Sequence, residues 1–194
     1  MLLQTQAIVL SLRKHTDNVS IAQLYTAEHG RLAVAVHGNK YRGVLTPLSI
    51  IEITGSQRVN QEIASLRTAE RVFTPQHLTI DIPRQCVALF IAEILTLTAR
   101  HPMPDAPLYA WLVEMVQRLD SEENIENLHL QFLLDYTVFL GIGIDAAEHP
   151  EWFIAPTTRQ QRQQYLKELC AYYEEHIDDF HTPKSLAVLM EVFD

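Results

Sequence analysis

The chain has 194 residues, 47% of them hydrophobic and 20% charged, with nine prolines, six glycines and a formal net charge of −9. That fits one globular domain or two small ones, and excludes a disordered or collagen-like polymer. The longest apolar run, 86–92, is far short of the roughly 20 residues that span a bilayer. The start lacks a basic segment followed by an apolar one, so the cytoplasm is the expected location.

The charge is unevenly distributed. Residues 1–72 carry eight Lys/Arg against five Asp/Glu, and residues 73–194 carry seven against nineteen. The first part is therefore +3 and the second −12, so only the first can attract phosphate.

The hydrophobic period changes at the same place. Residues 5–12 alternate, which puts Ile8, Leu10 and Leu12 on one face of a strand, and Val19, Ile21 and Tyr25 continue that period. Gly30 breaks the chain before Leu32, Val34 and Val36, and a β-branched run follows Pro47. Residues 63–73 complete the set, as a strand or as the start of a helix. Four or five short strands in about 70 residues make a small barrel the economical solution, because closure removes exposed edges.

After Pro75 the period becomes 3.6. Val87, Phe90, Ile91, Ile94 and Leu95 form one stripe, opened by Pro83. Leu108, Trp111, Leu112, Met115, Val116 and Leu119 form a second. Ile125, Leu128, Phe132, Leu133, Tyr136, Phe139 and Leu140 form a third, closed by Gly141. A polar helix over 158–176 and a short one after Pro183 follow. These are amphipathic helices packed on one another.

Catalytic and metal-binding patterns are missing from the sequence. It has no phosphate-cradling glycine loop and no nucleophile elbow. Cys86 and Cys170 are too far apart, without suitably spaced histidines, to hold zinc, and read as buried free thiols. His176 and His181 flank Asp178 and Asp179 in what reads as an exposed acidic helix end. Neither a metal nor another cofactor is expected, and nothing marks an enzyme.

Chemistry of another kind lies in the turns of the first part. Arg13 and Lys14 follow the first strand, Arg31 follows Gly30, and Lys40, Tyr41 and Arg42 sit between Gly38 and Gly43. Cations neutralise phosphates and an aromatic ring can stack on a base, so this pattern suits single-stranded nucleic acid. It equally describes a solvated hairpin loop.

At these residues the chain is similar to the bacterial RecO family. The resemblance rests on Ala7-Ile8-Val9-Leu10, on Thr26 through His29-Gly30-Arg31-Leu32, and on Val36-His37-Gly38. It continues in Leu45-Thr46-Pro47 with Glu52, in residues 88–95, and in Lys184-Ser185-Leu186 with Phe193. The matches are collinear over most of the chain. The resemblance implies an α+β chain in two parts: an N-terminal OB-fold barrel over 1–75 and an all-α helical domain over 76–194. It implies a non-enzymatic mediator of DNA repair and homologous recombination, cytoplasmic and nucleoid-associated. Such a protein binds single- and double-stranded DNA, anneals strands and assists RecA loading onto strands coated by single-strand binding protein (SSB). The implied partners are DNA, RecR and the acidic tail of SSB, with no membrane.

On this reading Arg13, Lys14, Arg31, Lys40 and Arg42 contact phosphates and Tyr41 stacks, while Arg100 and Arg118 are candidates for the SSB tail. The chain is shorter than family members, with the loss expected between Gly141 and Arg159, and it lacks the four zinc-binding cysteines that some carry there. A second reading is an OB-fold plus helical adaptor that binds proteins and has lost DNA binding. Convergence of the basic residues on one face of the barrel favours the first, scatter the second.

Overall fold

A computed structural model describes residues 2–58, 61–99 and 103–193. Five strands come first: β1 (Leu2–Lys14), β2 (Val19–Thr26), β3 (Gly30–His37), β4 (Ile50–Ser56) and β5 (Ile63–Arg71). They close into a barrel in the order β1-β2-β3-β5-β4, antiparallel throughout except for the β3–β5 pair. This is the five-strand Greek-key barrel of the OB-fold. Five α-helices follow: α1 (Ile82–Thr98), α2 (Ala106–Ser121), α3 (Leu128–Phe139), α4 (Arg159–His176) and α5 (Ser185–Val192), with a 3-10 turn at Pro150–Phe153. The α+β reading holds, and residues 63–73 resolve as a strand through Arg71. None of the helices among the described residues is long and apolar enough to cross a membrane.

Helix starts follow local chemistry. The Asp81 carboxylate accepts from the Arg84 N–H and that of Asp105 from the Leu108 N–H, each beside a proline in the first turn. Thr158 and Gln161 form a reciprocal capping box on α4. The third helix starts at Leu128 rather than Ile125, whose carbonyl instead accepts from the Leu128 N–H in the preceding turn.

The barrel encloses one core, built from Leu3, Ala7, Val9, Ala22, Leu24, Val34, Ile51 and Ile53 among others. A second core lies outside it. There Ile8, Leu10, Tyr25, Leu48 and Ile50 leave the barrel wall and join Phe90, Ile91, Ile94, Phe132 and Tyr136 of the helices. One wall of the barrel is thus one side of the helical core.

Two expected strand faces change in consequence. A register shift in β1 between Val9 and Ser11 interrupts the alternation. Ile8 and Leu10 therefore point to the helices, whereas Leu12 packs toward the barrel interior. In β2 the interior face is Ser20, Ala22 and Leu24, while Val19 and Ile21 lie half-buried on the other. Ala22 and Ser20 are small, and the β-branched Val34, Ile51 and Ile53 of the other strands fill the interior beside them.

Gly30 sits where the barrel meets the start of α2. Its φ is +60°, and a Cβ there would overlap the backbone of Met103. Glycine alone fits that close approach.

Candidate nucleic-acid interface

The turn between β1 and β2 and the long loop between β3 and β4 lie side by side. Strand pairing of Lys14 with Ser20 and of Val19 with His37 fixes this, and the Gly38 N–H donates to the Asn18 carbonyl at 2.9 Å. Gly38 has φ +69°, which lets the chain leave β3 sharply. The loop then coils on itself, with the N–H groups of Val44 and Leu45 both donating to the Tyr41 carbonyl. Its position is fixed by β5: the Tyr41 hydroxyl donates to the Arg67 carbonyl at 2.8 Å and the Arg71 guanidinium to the Gly43 carbonyl at 2.5 Å.

Four of the expected residues come together at this end of the barrel. Arg13, Lys14, Lys40 and Arg42 are all exposed there. Lys14 pairs with the exposed Asp17 at 2.8 Å, a solvent-screened contact of small net value. The Lys40 ammonium stands 4.9 Å from the centroid of the Tyr41 ring, a cation–π arrangement that occupies one ring face. Arg13 and Arg42 both open into a groove of about 610 Å3 between the barrel and the helices.

Arg31 is elsewhere. It is the second residue of β3, at the opposite end of that strand from the loop, and its guanidinium donates to the Thr96 carbonyl at 3.0 Å and to the Gln23 side chain at 3.2 Å. Arg118 is held at the end of α2 by Glu122 at 2.6 Å and Gln131 at 2.9 Å. Arg100 lies outside the described residues.

Arg67 and Arg71, absent from the sequence-based set, are exposed on β5 and border the loop. No regular alternation marked them: the interior residues of β5 are Ala64, Leu66 and Ala69, a register shift leaves Arg67 between the paired Leu66 and Thr68, and Arg71 is exposed at the end of the strand, paired with Ile51.

Neither cysteine is an activated thiol. Burial pushes Cys86 up, and burial with the Glu174 charge nearby pushes Cys170 up to about 12. Among the described residues no group of three His, Cys, Asp or Glu is placed to hold a metal ion.

The chain is thus of the class that builds a helical part onto the wall of an OB-fold barrel, a fold that hosts oligonucleotide binding among other functions, and here it carries basic loops at one end. The comparisons narrow the class. Residues 1–74 match the family model for the N-terminal part of recombination protein O, and residues 80–150 the model for its C-terminal part. The protein is 27% identical over 240 aligned positions to the DNA repair protein RecO of Phocaeicola vulgatus, covering all of both chains. To the proteins of that name from Porphyromonas gingivalis and Flavobacterium psychrophilum it is 26% and 27% identical, again over the whole of each. The chain belongs to the RecO family of DNA repair and recombination proteins. Since 240 aligned positions exceed its 194 residues, the Phocaeicola relative carries a few dozen residues without a counterpart here.

Proposed function

We propose that this protein is a recombination mediator that binds DNA at the loop end of its barrel, anneals complementary strands and assists RecA loading onto SSB-coated single strands. The observation that carries the DNA-binding part is the grouping of Arg13, Lys14, Lys40 and Arg42 at one end of a closed barrel, in a chain that is otherwise acidic. Residues 1–75 would then be the nucleic-acid part and 76–194 the part that meets proteins. Tyr41 fixes the loop through its hydroxyl and offers at most one ring face to a base. Arg31 is assigned to the joint between barrel and helices rather than to phosphate. The role is non-enzymatic, in the cytoplasm and at the nucleoid, with RecR and the SSB tail as partners. Arg118 would meet the tail with the guanidinium donors that Glu122 and Gln131 leave over.

A labelled single-stranded oligonucleotide followed by fluorescence anisotropy from low to physiological salt tests the reading. Binding should weaken steeply with salt, and Lys40→Ala with Arg42→Ala should lower the slope of log K against log salt by about 1.4, two single-strand phosphate contacts. Absence of binding at low salt overturns it.

One observation favours the adaptor reading. An apolar cleft of about 480 Å3 lies beside the loop, lined by Pro47, Leu48, Phe73, Leu78 and Leu89. Leu89 is 44% exposed, and Val72 and Ile80, next to its lining residues, are 48% and 76% exposed. Exposed apolar surface of this kind suits a protein partner. A protein that binds no DNA but retains RecR or SSB would fit it.

A further inference from the structure

The groove that receives Arg13 and Arg42 has a second wall. Across from the barrel it is bounded by α1 and α5, through Leu89, Glu93, Lys184, Ser185 and Val188. Lys184 adds a third cation from a helical part that is strongly acidic overall. Among the described residues the one carboxylate in the lining, Glu93, is already engaged. Its oxygens accept from the N–H groups of Lys184 and Ser185 at 3.0 and 2.9 Å and from the Ser185 hydroxyl at 2.6 Å. Burial opposes its ionisation, but the Ser185 hydroxyl, these N–H groups and the Lys184 charge hold its carboxyl below the usual range. Glu93 stays anionic, and with Arg13, Arg42 and Lys184 against that one carboxylate the groove lining is net positive. Its floor is aliphatic, with Leu89 and Val188 44% and 47% exposed.

We propose that this groove is a track for single-stranded DNA, with phosphates held between Arg13 and Arg42 on the barrel and Lys184 on α5, and sugars and bases lying on Leu89 and Val188. The inference rests on the DNA-binding reading above and extends it, because it makes the helical part a wall of the site. Charge complementarity selects the occupant: three cations converge from two parts of the chain where most of the surface repels a polyanion. The groove, about 610 Å3, is on the scale that holds a drug-sized ligand, so it has room for a nucleotide or so of one strand.

The test is anisotropy with a labelled single strand, and with a duplex of the same length, across a salt series. Lys184→Ala should lower the single-strand slope by about 0.7, one phosphate contact. Val188→Glu, which adds a carboxylate at an exposed position, should weaken single-strand binding at least tenfold and duplex binding less. Lys167→Ala on α4 is the charge-matched control and should change neither; an equal drop in its slope would reduce the Lys184 effect to net charge and overturn the proposal. Circular dichroism establishes that each variant folds.

If Arg13→Ala with Arg42→Ala lowers the slope while Lys184→Ala and Val188→Glu do not, the track is overturned and the barrel site stands. If wild type binds no DNA, both fall. If an acidic Asp/Leu peptide binds wild type but not Val188→Glu, and single-strand affinity is equal in the two, the groove is a peptide site and the proposal is overturned.

Discussion

The Arg31 guanidinium, at the start of β3, donates to the carbonyl of Thr96 in the last turn of α1 at 3.0 Å, and reaches the Ala99 carbonyl at 3.4 Å. The last turn of α1 has no basic residue of its own. The barrel thus supplies the cation that the carbonyl end of this helix attracts, and the contact ties barrel to helices at the residue next to Gly30.

Arg31→Ala should therefore act on stability and not on DNA. Loss of charge-assisted bonds to α1 should cost about 1–3 kcal/mol in urea denaturation. The salt slope of single-strand binding should match wild type. Arg31→Lys should recover little of the stability, since an ammonium cannot reproduce the planar fork that reaches Gln23, Thr96 and Ala99 together. A slope lowered by about 0.7 would instead put Arg31 on phosphate.

Asp120 does the corresponding work at the other junction. At the end of α2 its carboxylate accepts from the backbone N–H groups of Gln76, His77 and Leu78 at 2.9, 2.8 and 2.7 Å, fixing the segment between β5 and α1. Burial pushes its carboxyl up, but those N–H groups and the nearby His77 outweigh burial and hold it below the usual carboxylate range. The folded pKa is depressed, so the contribution is fully present above the unfolded value near 3.8 and is lost as pH falls through the folded value. Asp120→Ala should cost about 3 kcal/mol at neutral pH, from three unsatisfied donors at a buried site. Its stability should also depend less on pH below about 4, checked by urea denaturation at pH 7 and pH 3.

The contrast between Arg31 and Asp120 shows what could be read from the sequence. Barrel and helices announce themselves through periods of 2 and 3.6, and the basic turns through composition, because each is a local pattern. The partner of Arg31 lies 65 positions away and those of Asp120 more than 40. No local pattern separates such an arginine from one that meets phosphate, or such an aspartate from a solvated one. The faces of β1 and β2 were lost for a different reason. The shift after Val9 and the small interior residues Ala7, Ala22, Ala64 and Ala69 break or mute the alternation that reveals a buried face. Lys184 is far in sequence from Arg13 and Arg42, and only the fold places α5 beside them in one groove.

His129 supplies the last expected outcome. Its ring is 2% exposed on α3, stacked on Phe193 with centroids 5.6 Å apart and edge-on to Phe90 at 6.5 Å. Its Nδ1 has no hydrogen-bond partner among the described residues, and Arg162, paired to Glu126 at 2.9 Å, is the neighbouring charge. Burial first, then the Arg162 cation, lowers its pKa from 6.5 to about 3, so the folded protein holds it neutral. Between about pH 3 and 6.5 the unfolded chain binds a proton that the folded chain does not, so stability rises with pH across that window. His129→Phe keeps the aromatic packing and removes the titrating group. Its stability should change by about 1 kcal/mol or less at pH 7. It should also lose less stability than wild type when the pH is lowered from 7 to 4.5, by up to a few kcal/mol. Urea denaturation of both proteins at the two pH values gives the comparison, and equal losses would place the proton elsewhere.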